Sequence, residues 1–499
     1  MLDNVEQRRL RTDRELSPLT RGKLGQFMTP APIARFMTSL FTPLSGEIVL
    51  LDPGAGIGML TSAFVEQALC QAGLKSITVH AYEVDPMMRR RLETTMQECH
   101  ACCEQAGVKF RWQIHTEDFI EAGVELVRNE QTLFGTPSPR FTHCIMNPPY
   151  RKINSNSSTR TQLQQIGIET SNLYTGFLAV AVHLLAQSGE LVAIVPRSFC
   201  NGVYFRSFRT FFLHEMSLRH LHVFERRDQA FKDNEVLQEN IIVCAAKEKQ
   251  RAPVVITSSA RAELDDLMQR EASYDEVVEP NDRNLFINIA VSKADRLVIE
   301  RLSVFTAMLA ELGVTVSTGP VVDFRLRSDL RQNPAHDTFP LIYPGHLRHH
   351  AVHWPKPGAS KPNAIAVSPQ SLPWLMPNEW YVLIRRFSSK EEKRRIVASV
   401  YDPARVPGKM VGFENHLNVL HVNGNGLSPD LARGLAVYLN STLIDLYFRQ
   451  FSGHTQVNAN DLRTLRYPDQ ATLTRWGRLF KDEFPNQQTV DALLAAEIS

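Results

Sequence analysis

Cysteine is scarce, with seven residues scattered through 499, which excludes a disulfide framework of the secreted kind. The one dense cluster, Cys99, His100, Cys102 and Cys103, lies in a segment of helical spacing. It lacks a second ligand pair at zinc spacing, so it reads as reduced thiols and no metal site is expected. Long apolar runs are also missing; none approaches the roughly 20 residues that span a bilayer. The opening stretch, MLDNVEQRRLRTDRELS, carries acids and lacks the apolar centre of a secretory signal. A cytoplasmic chain is expected, with no membrane partner. Net charge is only +2, so the whole molecule is not marked as a polyanion binder, although local patches remain possible carriers of that role. The densest charge run, RRFSSKEEKRR from Arg385 to Arg395, reads as a solvated, salt-bridged helix face. Internal repeats and low-complexity tracts are absent too.

What is present is alternation. Length predicts two or three domains, and 43% apolar with 22% charged residues is ordinary for globular protein. From residue 47 to 247, apolar runs of strand length alternate with helix-length segments. The strands read as EIVLLDPG, SITVHAYEVDP, KFRWQIHTEDF, FTHCIMNPPY, ELVAIVP, LRHLHVF and ENIIVCAAK, the last two as a hairpin. That order predicts a doubly wound, mostly parallel seven-stranded α/β sheet with an antiparallel edge hairpin. Residues 155–172, SNSSTRTQLQQIGIETSN, read as a mobile loop, and residues 251–309 as a helical link. From 310 to 499, Pro, Trp, His and Arg increase, which predicts a second domain of mixed α/β character.

Sheets of this kind bind ligands beyond the carboxyl ends of their strands. Four polar clusters fall there. LLDPGAGIGML places Gly54, Gly56 and Gly58 between a strand and a helix, where the backbone can approach a ligand closely. Glu83 ends the second strand, suited to the two hydroxyls of a ribose. Asp118 ends the third, suited to an exocyclic adenine amine. No lysine-bearing phosphate loop accompanies them, which favours a nucleoside without a triphosphate.

The fourth cluster is IMNPPY. An exocyclic amine is a poor nucleophile because its lone pair is delocalised into the ring. Two acceptors aimed at the NH2 group, the Asn147 side-chain oxygen and the Pro148 carbonyl, draw it toward a tetrahedral shape and free that pair. Pro148 and Pro149 stiffen the turn, and Tyr150 offers a ring for a flipped base. As the amine becomes cationic both bonds strengthen, by about 1.5–3 kcal/mol each, or about 10- to 150-fold in rate apiece.

These residues resemble the gamma class of S-adenosylmethionine-dependent N6-adenine DNA methyltransferases of Type II restriction–modification systems. GQFMTPAPIARFM, ahead of DPGAGIG and with the recognition region last, matches that arrangement. The resemblance implies that Thr29 contacts the methionine carboxylate and that Asp52, Gly54 and Gly56 form the loop below S-adenosylmethionine. It assigns Glu83 to the ribose, Asp118 to the adenine amine, and Asn147 to Tyr150 to catalysis. DQAFKDNEVLQENIIV resembles the segment whose aromatic, here Phe231, stacks on the flipped adenine opposite Tyr150. The C-terminal segments VLIRRFSSKEEKRR, NHLNVLHV and SGHTQVNANDLRTLRYP are similar to target-recognition domains, with PstI-type modification methylases the subgroup they suggest. The implied division is 1–250 for catalysis and 310–499 for reading double-stranded DNA, in a monomer paired functionally with a restriction endonuclease. Arg325, Arg327, His346, Arg348, His349, His350, Gln456, Asn458 and Asn460 are the candidate DNA contacts. Three rivals share part of the pattern: a protein-glutamine methyltransferase, an RNA base methylase, and a non-catalytic DNA-specificity subunit.

Overall fold

The computed structural model describes residues 1–15, 28–130, 140–224, 239–261, 263–388, 392–451, 456–481 and 483–498. Two compact units divide the chain, Met1–Val291 and Ser292–Ser499. No helix among the described residues is long and apolar enough to cross a membrane.

The first unit is built on β1 (Gly46–Pro53), β2 (Leu74–Tyr82), β3 (Lys109–His115), β4 (Phe141–Met146), β5 (Leu185–Pro196), β6 (Ser217–Phe224), β7 (Asn240–Ala246), β8 (Val254–Ser259) and β9 (Met268–Ala272). Their order is β3-β2-β1-β4-β5-β7-β6-β8-β9. Successive side chains of a strand point to opposite faces, and here each face has its own core. Leu50, Ile145, Val192 and Ile194 enter one, with Ile33 and Met37 of helix Ala31–Ser39, Phe64 of helix Met59–Leu69 and Leu92 of helix Pro86–Gln105. Leu51, Cys144, Met146, Leu191 and Ala193 enter the other, with Val124 of helix Phe119–Glu130, Leu178 of helix Leu173–Leu184 and Phe212 of helix Arg206–Glu215. Burial on both faces is why these strands read as continuous apolar runs.

Three expectations need correction. The sheet has nine strands, and the antiparallel partner is not at its edge: β7 runs between β5 and β6, opposed to both. The stretch 251–309, expected as a helical link, contributes β8, parallel to β6, and β9, antiparallel to β8. It adds helix Lys293–Leu302, which lies in the second unit. Strand β9 reads MQREA, too short and polar to show a period of two. Within 155–172, Ser157 caps a helix at Ser158–Gln165 by accepting from the Arg160 amide, so that stretch is partly regular.

The second unit is mixed α/β, as expected. It holds a six-stranded and a five-stranded sheet. Helices Pro429–Leu439 and Gln470–Leu479 touch backbone to backbone: a Cβ added at Gly434 would meet the Leu473 carbonyl at 1.9 Å. Among the described residues of the run Arg385 to Arg395 none is helical, and Arg385 ends the strand Tyr381–Arg385. Arg395 is fully buried, its amide on Asp445 at 2.6 Å and its guanidinium over the Phe448 ring.

Candidate active site

The order of the sheet reverses between β1 and β4, so the ends of β1 to β4 border one cleft. At the end of β1, Asp52 is buried and accepts from the Thr61 hydroxyl at 2.6 Å through Oδ2. Its Oδ1 has no hydrogen-bond partner, and burial pushes the carboxyl up to about 7. The chain then turns sharply. The Gly54 and Ala55 amides both donate to the Tyr82 carbonyl at 2.9 Å. Gly56 (φ 58°) and Gly58 (φ 86°) take the left-handed conformation that favours glycine. Their surroundings differ: a Cβ on Gly58 would meet Leu92 at 2.8 Å, whereas one on Gly56 would stand in open space. Gly58 therefore serves packing, and Gly56 keeps the cleft floor low.

Glu83 follows β2 and is buried. Its Oε2 accepts from the Gly56 amide at 2.9 Å and its Oε1 from the Asp85 amide at 2.7 Å. Burial is the main reason its carboxyl is raised to about 7. Asp118 follows β3 and is exposed. Its Oδ1 caps helix Phe119–Glu130 through the Ile120 and Glu121 amides at 2.9 and 3.2 Å, and the residue lines the cleft.

Asn147 follows β4. Its Nδ2 donates to Thr29 Oγ1 at 3.0 Å, and its Oδ1 lies 2.8 Å from the Tyr150 hydroxyl, which donates to it and also lies 2.9 Å from the Ile194 carbonyl of β5. The Tyr150 ring meets Tyr174 edge-on, and the Tyr174 hydroxyl bonds Ser198 at 2.9 Å.

One cleft is lined by Thr29, Gly54, Gly56, Glu83, Asp118, Asn147 and Pro149 together. Asp52 and Tyr150 are not among the lining residues; Tyr150 reaches the cleft through its bond to Asn147. Phe231 lies outside the described residues. Sequence reading missed three features of this region. Phe177, on helix Leu173–Leu184, also lines the cleft. Arg197, just past β5, is buried against Glu239 at 3.0 Å, tying the ends of β5 and β7. Thr29 touches Asn147 across 118 residues of sequence. Only the first had a signal, in the helical spacing of LYTGF.

In the second unit the candidate contacts sort into different roles. His346 is buried, accepting from the Tyr343 amide and bonding Asn363, so it is a core residue rather than a reader of bases. Asn458 caps helix Ala459–Thr464. His350 stacks on Phe484 at 4.1 Å, and Gln456 accepts from Arg386. Exposed aromatics that sequence reading passed over, Phe324 and Phe387, stand beside Arg325 and His416.

Residues 84–231 match the family described as Eco57I restriction-modification methylase. Over 494 residues the chain is 43% identical to the Type II methyltransferase M.BsuBI of Bacillus subtilis, covering 98% of this chain and 96% of that one. It is 45% identical over 459 residues to the Type II methyltransferase M.PstI of Providencia stuartii, covering 92% and 89%. Among solved structures, the Type IIL restriction-modification enzyme MmeI in complex with DNA aligns over 100% of this chain and 68% of its own, with a TM-score of 0.51. At 11% identity that likeness speaks to the fold alone.

Proposed function

The chain belongs to the Type II DNA methyltransferases of restriction–modification systems, and from that premise we propose that it transfers a methyl group from S-adenosylmethionine to N6 of a flipped adenine in double-stranded DNA. The observation that carries this reading is Asn147, held at both ends of its amide at the mouth of the glycine-turn cleft.

The cleft residues fit the cofactor. The open floor at Gly56 admits a ligand to the backbone. Glu83, buried with a raised carboxyl, gains from the extra donors that ribose hydroxyls supply. Asp118 would take the adenine amine through Oδ2, and Phe177 supplies an apolar wall. When bound, S-adenosylmethionine supplies an electrophilic methyl on a sulfonium. The protein's part is to present the nucleophile. Asn147 Oδ1 and the Pro148 carbonyl accept the two N–H bonds of the target amine, and Pro149 fixes the turn. The amine's lone pair is thereby freed to attack the methyl carbon as its bond to sulfur breaks, and the product then loses one amine proton to solvent. The cationic amine formed in the transition state binds both acceptors more tightly than the neutral one, which is the differential binding that lowers a barrier. Tyr150 and Phe231 would stack on the base from either side. Such stacking, about 1–3 kcal/mol per base, offsets much of the cost of flipping.

The second unit would read the sequence around the target, and modification would protect that site from a cognate endonuclease in the cytoplasm. A monomer suffices, one visit modifying one strand. The protein-glutamine, RNA and non-catalytic readings are less favoured, because the near full-length relatives are Type II methyltransferases. The test is incubation of the full chain with methyl-labelled S-adenosylmethionine and unmethylated DNA, followed by nucleoside mass spectrometry. N6-methyladenine is expected; N4-methylcytosine, or label in RNA or protein alone, overturns the reading.

A further inference from the structure

We propose that Thr29 is a positioning residue for methyl transfer, whose hydroxyl sets which edge of the Asn147 amide faces the target amine. An asparagine amide is nearly symmetric in shape and opposite in chemistry at its two ends. Turned by half a rotation, it presents a donor where the reaction needs an acceptor, and two N–H groups then oppose one another. The choice between the two states must therefore be made by neighbours. Thr29 Oγ1 lies 3.0 Å from Nδ2, and the Tyr150 hydroxyl 2.8 Å from Oδ1. Thr29 is buried, and one residue, the N-cap Pro30, separates it from helix Ala31–Ser39, which is anchored on the sheet through Ile33, Ala34 and Met37. Its oxygen is thus a fixed point.

A threonine hydroxyl accepts and donates at once. With its lone pair given to Asn147, its own proton remains for the carboxylate of the bound cofactor. One hydroxyl then couples the two sides of the reaction: filling of the cofactor side polarises the group that orients the catalytic amide. This rests on the methyl-transfer reading above, and the test separates the two.

The experiment is steady-state and single-turnover methylation by wild type, Thr29→Val and Thr29→Ser, with cofactor affinity measured by calorimetry. Thr29→Val keeps the shape and removes the hydroxyl. It is expected to lower kcat at saturating cofactor by about tenfold or more, alongside the rise in cofactor KM that loss of the contact to the cofactor carboxylate brings. Thr29→Ser is expected to restore most of kcat. In an Asn147→Ala background, Thr29→Val is expected to have no further effect on the single-turnover rate, since the group it orients is gone. A rise in cofactor KM with kcat intact overturns the inference, as does additivity in the double variant or failure of Thr29→Ser to rescue a folded protein. An inactive wild type overturns the parent reading instead.

Discussion

The Tyr150 hydroxyl stands 2.8 Å from Asn147 Oδ1 and donates to it. The amide oxygen on which methyl transfer would depend is thus a working acceptor, engaged by an O–H from three residues along the same turn. Because the same hydroxyl also reaches the Ile194 carbonyl at 2.9 Å, it has an alternative acceptor on β5 and can yield Oδ1 to a substrate N–H without being stranded.

Asn147→Ala is expected to retain cofactor binding and to lose methylation by at least about tenfold, because it removes one of two acceptors that strengthen in the transition state. Calorimetry and single-turnover kinetics read the two effects separately. Near-normal activity would show that the acceptor lies elsewhere.

Cofactor affinity is expected to depend on pH through Glu83. Burial raises its carboxyl to about 7, so the cofactor-free fold favours the protonated form. That contribution to stability is complete in the acid range and is lost as pH rises through about 7. Ribose hydroxyls donate to the ionised form, so binding expels a proton at low pH. Affinity is therefore expected to rise about tenfold between pH 6 and 8 and then level off. Glu83→Gln should bind more weakly with a flat profile, whereas Asp52→Asn, which alters the other raised carboxyl, should keep the slope. Calorimetry across that range checks all three proteins; a sloping Glu83→Gln profile would assign the proton to another group.

The two glycines of the turn should fail differently. Gly58→Ala drives a methyl into Leu92 and forces a left-handed alanine. It is expected to destabilise the fold by about 2–4 kcal/mol, combining backbone strain with overpacking. Gly56→Ala meets no protein atom and should cost only about 1–2 kcal/mol in strain. It is nevertheless expected to weaken cofactor binding by about tenfold, since its methyl stands on the cleft floor. Thermal melts and calorimetry distinguish the cases; equal loss of binding in both variants relative to their stability would contradict the assignment.

Recognition should travel with the second unit. Grafting residues 292–499 onto a related catalytic unit and sequencing the methylated sites is expected to transfer the specificity of this chain. Retention of the recipient's specificity would place sequence reading in the first unit.

The site was legible in the sequence because its chemistry sits at strand ends. Asp52, Glu83 and Asn147 each end or follow a largely buried apolar strand, where a polar residue has few structural reasons to be, whereas Asp118 follows the half-polar edge strand β3 and stood out by its place at a third strand end. Thr29 was visible only as part of a motif, because its bond to Asn147 spans two segments that no local pattern connects. The position of β7 was misread for a related reason. Adjacent strands in sequence usually pair, and β6 and β7 do, but that rule is silent on which of them faces β5. The second unit stayed opaque because its strands are two to five residues long, too short for periodicity to emerge. His346 was misassigned because a histidine beside arginines in an irregular stretch looks the same whether it faces water or, as here, holds Tyr343 to Asn363.

The reversal at β7 also bears on how such enzymes diversify. Phe224 ends β6 and Asn240 opens β7 opposite Pro196, so both attachment points of the intervening segment stand on the edge that carries Asn147. An insertion between them leaves every strand register intact. By chain statistics, doubling the length of a flexible connection costs only about 0.6 kcal/mol, little beside the stability of a sheet with two cores. Length can thus be added or removed between Phe224 and Asn240 over generations while the strands that hold these two ends stay fixed.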